Sequence, residues 1–112
     1  MSGTVEVHPE TINATYGDQV QINCTTESQD EHGVEWEFAI SGSNHPNSIC
    51  MENGNHSVKY ECKREANKHT LVINNVNFND SGTFTCTEDA GRGPGKDSSR
   101  LYVGSGSCKY SQ

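Results

Sequence analysis

The chain has 112 residues, enough for one domain with a modest core, and only 30% of them are A, V, I, L, M, F, W, Y or C. A formal net charge of −7 argues against nucleic-acid binding, which needs a basic surface, and against direct binding of this domain to anionic membranes. Five cysteines in so short a chain indicate an oxidising, extracellular compartment.

Alternating apolar residues predict short β-strands in the first half of the chain. The predicted inward-facing residues are Val5 and Val7, Ile12 and Ala14, then Val20, Ile22 and Cys24, then Val34, Trp36 and Phe38. Because proline is tolerated at a sheet edge, the first strand is expected to change sheets after Pro9. Glu35 and Glu37 fall on the outward face of the strand that contains Trp36.

The second half of the chain continues with the same period of two. Asn53-Gly54 predicts a type I′ hairpin, and residues 88–99 are predicted to be a long loop. The strands predicted around them are 49–51, 58–62, 70–73, 82–87 and 100–103. The Gly- and Ser-rich start of residues 104–112 predicts a linker or tail.

The most specific pattern is Asp80-Ser81-Gly82-Thr83-Phe84-Thr85-Cys86, an acidic corner followed by an alternating strand that ends on a cysteine. With Cys24, Trp36 and Leu71-x-Ile73, it resembles the immunoglobulin fold. The resemblance implies an all-β Greek-key sandwich of two antiparallel sheets over residues 1–103. The long segment before strand D makes it similar to the variable type, or V-set. The implied core contains Trp36, Leu71 and Phe84, with Phe84 where the family usually has tyrosine.

The same resemblance implies an inter-sheet disulfide between Cys24 and Cys86, with Trp36 packed on it. We expect Cys50 to pair with Cys62 across a short loop. A zinc site formed by these two cysteines and His56 is the alternative. Cys108 has no partner in this scheme. It could pair with a cysteine of a following domain, form an inter-chain bridge or remain a free thiol.

The resemblance also implies an ion pair. V-set domains commonly pair a basic residue near the start of strand D with the aspartate of the E–F corner. Carried over to this chain, the pair is Lys59 with Asp80, and Lys63 or Arg64 could substitute for the lysine. Its expected role is structural, at the lower end of the sandwich.

Two surfaces are candidates for recognition. In the predicted 88–99 loop, which corresponds to a third hypervariable loop, the ligand-binding candidates are Arg92, Gly93, Lys96 and Asp97. The family letters its strands, and here strand C corresponds to 34–38, C′ to 49–51, F to 82–87 and G to 100–103. On the outward face of these strands, the interface candidates are Glu35, Glu37, Thr85 and Tyr102. A merely solvated acidic face is the alternative interpretation of this second surface. Gly93-Pro94-Gly95 partly resembles the bulge of a joining segment.

Four Asn-x-Ser/Thr sequons indicate a glycosylated surface. The acceptors are Asn13, Asn23, Asn55 and Asn79. Asn23 is the weakest of them because it adjoins Cys24.

No hydrolase or phosphate-binding motif is present in the sequence. The five histidines are scattered, and we expect them to be solvated. We therefore predict a domain that is not an enzyme and needs no cofactor or metal. The resemblance implies an extracellular or cell-surface recognition domain of an immune-type receptor. The alternatives are a cell-adhesion module that binds another immunoglobulin domain and a carbohydrate-binding domain of innate defence. The expected partner is a protein or glycan, or a second copy in a homodimer through the C-C′-F-G face.

Overall fold

A computed structural model describes residues 5–26, 34–50, 59–89 and 94–105. These residues form nine strands and one short 3₁₀ helix, Phe78–Asp80. The strands are β1 (Val5–His8), β2 (Thr11–Thr15), β3 (Val20–Thr26), β4 (Val34–Ile40), β5 (Asn47–Ser48), β6 (Tyr60–Glu65), β7 (Lys68–Ile73), β8 (Gly82–Asp89) and β9 (Pro94–Gly104).

The strands build two sheets that pack face to face. Sheet A has the order β1-β3-β7-β6, and sheet B has the order β2-β9-β8-β4-β5. Sheet A is antiparallel throughout, but β2 runs parallel to β9, so sheet B is mixed. The predicted all-β sandwich of two sheets is therefore confirmed, and β2 with β9 is its one parallel pair among the described strands.

The first strand is divided between the two sheets. β1 pairs with β3 in sheet A, and β2 pairs with β9 in sheet B. Pro9 lies between them, after a cis His8–Pro9 peptide bond. Proline cannot donate to a ladder, so pairing is interrupted where the chain crosses from one sheet to the other.

The Cys24–Cys86 disulfide joins β3 of sheet A to β8 of sheet B, with a Cα–Cα distance of 6.4 Å. Both cysteines are 0% exposed, and Trp36, the cross-strand neighbour of Cys86, is 3% exposed. The remaining core residues come from both inner faces: Val5, Val7, Val20, Ile22, Ile49, Leu71, Ile73, Val76, Phe84, Leu101 and Val103. The predicted core of Trp36, Leu71 and Phe84 is thus buried, and Phe84 stacks on Phe38 with ring centroids 4.5 Å apart.

The acidic corner is held by a capped 3₁₀ helix. Asn77 is the N-cap: its side chain accepts a bond from the backbone of Asn79, and its own N–H donates to Asp80 Oδ2 at 2.8 Å. The same carboxylate oxygen lies 2.6 Å from Lys59 Nζ. Asp80 is only 4% exposed. Burial of the neighbouring Tyr60 hydroxyl and, secondarily, the negative charge of Asp80 raise the pKa of Tyr60.

A second disulfide, Cys50–Cys62, has a Cα–Cα distance of 6.3 Å. Cys50 follows β5 at one edge of sheet B, and Cys62 lies in β6 at the edge of sheet A. The bridge therefore ties the two sheets along that edge. Because the two sulfurs bond to each other, the alternative of a zinc site on these cysteines is wrong.

Three local predictions differ from the structure. Residues 88–99 are not one loop, because β8 continues to Asp89 and β9 begins at Pro94. Asn47 and Ser48 form β5 against β4, where no strand was predicted. His69, predicted to be solvated, is 5% exposed and points inward with Leu71 and Ile73. The Asn53-Gly54 hairpin and Cys108 lie outside the described residues, as does most of the 104–112 tail.

Gly82 is required where β8 passes β4. A Cβ atom at this position would meet Phe38 Cε1 at 2.8 Å, Ile40 Cα at 2.9 Å and, closer still, the carbonyl oxygen of Ala39. Backbone atoms cannot move aside cheaply, so Gly82→Ala should lower the free energy of unfolding by about 1–3 kcal/mol. Urea unfolding measures this loss. Gly104→Ala is the matched control, since nothing lies within 4 Å of its Cβ position; equal losses in both variants would contradict the steric explanation.

His69 should make stability depend on pH. Burial, and secondarily the charge of Arg64, lowers the pKa of His69 from its ordinary value of 6.5. The unfolded chain therefore binds this proton at a higher pH than the folded chain, and folding stability is lost as the pH falls below about 6.5 towards the folded pKa. His69→Gln should flatten the stability profile between pH 7 and 5. The control is His45→Gln, because His45 is exposed; an unchanged slope in His69→Gln would refute the assignment.

Candidate functional site

The outward surface of sheet B is the candidate site. Along three neighbouring strands, the side chains that alternate with core residues point outward, and most of them are polar. We call this surface the GFC face; it comprises Glu35, Glu37, Thr83, Thr85, Thr87, Lys96, Ser98 and Arg100. Three of the four predicted interface residues, Glu35, Glu37 and Thr85, belong to this face.

The register of the strands arranges the GFC face in cross-strand rows. The first row is Glu35, Thr87 and Lys96, on β4, β8 and β9 respectively. The second row is Glu37, Thr85 and Ser98. Neighbouring strands are about 4.8 Å apart, so a β4 side chain and its β9 counterpart are separated by roughly 10 Å.

Hydrogen bonds between side chains order the middle of the face. The hydroxyl groups of Thr85 and Ser98 lie 2.9 Å apart across β8 and β9. At the β5 edge, the Ser48 hydroxyl donates to Glu35 Oε2 at 2.6 Å. These bonds restrict side-chain rotation before any partner arrives, which lowers the entropy lost on binding.

Charge on the GFC face is divided by strand. The acidic residues Glu35 and Glu37 are both on β4, whereas Lys96 and Arg100 are both on β9. Between them β8 contributes the hydroxyl groups of Thr83, Thr85 and Thr87. The face therefore has a negative side and a positive side separated by a strip of hydroxyl groups.

Tyr102, the fourth predicted interface residue, lies away from this block. It faces outward on β9, four residues beyond Ser98, which is roughly 13 Å along the strand. Its cross-strand neighbour is Asn13 of β2, and its side chain is 46% exposed. The structure therefore places Tyr102 at a far corner of sheet B, beside a sequon.

The four predicted ligand-binding residues do not form a group. Arg92 and Gly93 lie outside the described residues, so the joining-segment resemblance that includes Gly93 stays a prediction. Lys96 and Asp97 lie in β9 and not in a loop. Lys96 is exposed on the GFC face, level with Glu35.

Asp97 has a structural role instead of a place on the face. Its register partner is the buried Cys86, so its side chain turns towards sheet A. Asp97 Oδ2 accepts a bond from the backbone N–H of Val7 at 2.8 Å, and Oδ1 accepts one from Ser98 N at 2.9 Å. The carboxylate thus ties β1 of sheet A to β9 of sheet B.

The basic side of the GFC face was not predicted from the sequence. Counting back by twos from the inward Leu101 gives Ser99 and Asp97 as inward and Lys96, Ser98 and Arg100 as outward. This signal was present, but Ser, Asp, Lys and Gly are typical loop residues and hid the strand. Arg100 was predicted only as the start of the last strand.

The sequons differ in their surroundings. Asn13 and Asn79 are exposed. Asn23 is half-buried, and its Oδ1 accepts a bond from the Thr70 hydroxyl at 2.9 Å. Asn55 lies outside the described residues. Asn13 and Asn79 are therefore the better acceptors, and glycosylation at all four remains a prediction.

Other kinds of site find little support in the described part of the chain. Within residues 5–26, 34–50, 59–89 and 94–105, no three His, Cys, Asp or Glu side chains are grouped so as to hold a metal ion. The same residues contain no helix long and apolar enough to cross a membrane.

Replacing Asp97 distinguishes a structural role from a ligand-binding one. Asp97→Ala removes the acceptor for the Val7 N–H, and a bond to a charged group contributes about 1.5–3 kcal/mol, so unfolding should become easier by about that amount. Hydrogen exchange at Val7 should also become faster. Lys96→Ala, next to it and exposed, is the control and should change stability by about 0.5 kcal/mol or less. Normal stability of Asp97→Ala would argue against the tie.

Comparison with known proteins assigns the family. The family model described as "Immunoglobulin I-set domain" matches residues 4–103. No curated protein matches the chain. Among solved structures, a chain from a study of the structural basis of T cell specificity and activation by the bacterial superantigen toxic shock syndrome toxin-1 superimposes with a TM-score of 0.77; it is 19% identical, and the match covers 91% of this chain and 99% of that one.

The structural likeness is to the fold alone, and 1946 solved chains share it, so it cannot choose a function. The family match confirms the immunoglobulin superfamily but not the V-set type that the sequence analysis predicted. Immunoglobulin domains are generally non-catalytic modules for recognition or adhesion, and two disulfides agree with an extracellular or cell-surface location. The chain belongs to the immunoglobulin I-set domain family.

Proposed function

We propose that this domain is an extracellular, non-catalytic recognition module that binds another immunoglobulin-type domain through the GFC face. The observation that supports it most is the division of charge across a hydroxyl-lined sheet surface. Acidic Glu35 and Glu37 lie on one side strand, and basic Lys96 and Arg100 lie on the other. Complementary charge steers encounter and fixes the orientation of partners.

A second copy of the chain fits this surface. A two-fold axis parallel to β8 would place β9 of the second copy over β4 of the first. The first row would then bring Glu35 opposite the second copy's Lys96, and the same pair would form again on the other side of the axis. The negative charge of the whole chain opposes association, whereas the local arrangement favours this one orientation.

An immune-type receptor and an adhesion protein would both use this face. A carbohydrate ligand is a third candidate. The GFC face favours a protein partner, since its opposite charges complement another charged surface. Tyr102 belongs to this interface only if Asn13 beside it carries no glycan, because a glycan there would cover the ring.

Charge reversal tests the homodimer. Sedimentation of the wild-type domain over increasing concentration should show a reversible dimer that weakens as salt rises. Glu35→Lys and Lys96→Glu should each weaken it about tenfold or more, because each places like charges opposite one another. The double variant, which exchanges the two charges, should recover most of the loss.

Two results would decide against parts of this proposal. A wild-type domain that stays monomeric at millimolar concentration removes the homodimer and leaves a different immunoglobulin-type partner. Equal binding of such a partner by wild type, Glu37→Lys and Lys96→Glu would remove the GFC face itself. Glu65→Lys is the matched control, because it reverses one charge at an exposed position in β6 of sheet A.

A further inference from the structure

The lower end of the sandwich exposes two aromatic rings that touch. Tyr16 is 56% exposed and Phe78 is 54% exposed, yet their ring centroids are only 5.3 Å apart, at an interplanar angle of 55°. Both are held on fixed backbone: Tyr16 N donates to Gly104 O at 2.8 Å, and Phe78 begins the capped 3₁₀ helix. Exposed aromatic pairs on a rigid frame are characteristic of a surface that something covers.

A sequon adjoins the rings. Asn79 follows Phe78 directly in the 3₁₀ helix, and both side chains are exposed, while Asp80 of the same turn points inward to Lys59. Asn79 and Phe78 therefore share the solvent side of this turn. An oligosaccharide attached to Asn79 would begin within reach of the ring of Phe78, and of Tyr16 beside it.

We propose that Asn79 carries an N-linked glycan whose first sugar packs on the Tyr16–Phe78 ring pair. The negative faces of aromatic rings attract the weakly positive C–H groups on one side of a pyranose ring. The glycan would thus cover the exposed apolar patch and hold the 3₁₀ helix in place. This inference rests on the extracellular location proposed above, but it is independent of the GFC face.

The attachment is an ordinary glycosyl transfer. Asn79 Nδ2 forms a bond to the anomeric carbon of the first sugar, and the bond from that carbon to the pyrophosphate of a lipid-linked oligosaccharide breaks. The amide loses one proton, and the lipid pyrophosphate leaves with the bonding electron pair. Nothing is oxidised or reduced.

The sequon hydroxyl contacts β9 in the folded domain. Ser81 Oγ accepts a bond from the backbone N–H of Val103, 22 residues later in the chain, at 3.0 Å. Asn79, which would carry the glycan, is exposed, so this bond and the glycan can coexist.

Expression of the chain in a secreting eukaryotic host, followed by peptide mass mapping, tests occupancy at Asn79. The glycan is then trimmed enzymatically to its first sugar, and the melting temperature is compared with that of Asn79→Gln. With both rings present, the single sugar should raise the Tm by about 4 °C. In a Tyr16→Ser/Phe78→Ser background the same comparison should give about 1 °C or less.

Proton spectra provide a readout that needs no ring variant. Protons of the first sugar at Asn79 should shift upfield by several tenths of a ppm because they lie over aromatic rings. The Asn13→Gln variant, trimmed in the same way, carries no sugar at residue 13 and serves to assign these signals. An unoccupied Asn79 would overturn the proposal. So would an occupied site with unshifted sugar protons and an equal Tm gain in both backgrounds.

Discussion

The structure depends on the Cys24–Cys86 bridge and on the indole packed beside it. The bridge joins the central strands β3 and β8 of the two sheets, and both sulfurs are sealed from water. In a chain with so few apolar residues, a cross-link that closes a loop of this length contributes about 4 kcal/mol by restricting the unfolded chain. Every outward-facing residue of the GFC face is positioned by the pairing of β4 and β9 with β8.

Around this centre, polar ties hold the parts of the sandwich that the core does not reach. Lys59 and Asp80 fix the lower corner, and Asp97 fixes β1 to β9. Each uses a carboxylate that accepts more than one bond, so a single charged group orders two segments at once. Such ties explain how a small apolar core supports strands as long as β9, whose outward residues then form a rigid surface.

Much of the fold was readable in the sequence because the informative residues are specific. Cys24, Trp36, Leu71 and the corner from Asp80 to Cys86 occur in an order that resembles one fold, and alternation located most strands. The parallel pairing of β2 with β9 could not be read, because alternation gives the face of a residue and not the direction of its neighbour. The V-set subtype is not confirmed, because it was inferred from the length of one segment, and length does not fix the number of strands.

The candidate site was only half predicted, for a similar reason. Glu35 and Glu37 were found because Trp36 and Phe38 between and beside them mark the strand. Lys96 and Asp97 were both predicted in a binding loop, because their neighbours are small and polar and the segment corresponds to a third hypervariable loop. The N–H of Val7, ninety positions earlier, is the partner, and no local pattern connects the two.

The two disulfides differ in how solvent reaches them. The sulfurs of Cys24 and Cys86 are enclosed, whereas Cys62 is exposed at the border of sheet A. A dissolved thiol can therefore attack the peripheral cross-link while the domain stays folded, but it meets the central one only after the layers separate. The peripheral disulfide can therefore be reduced in the folded domain when thiols are present, whereas reduction of the central disulfide requires unfolding.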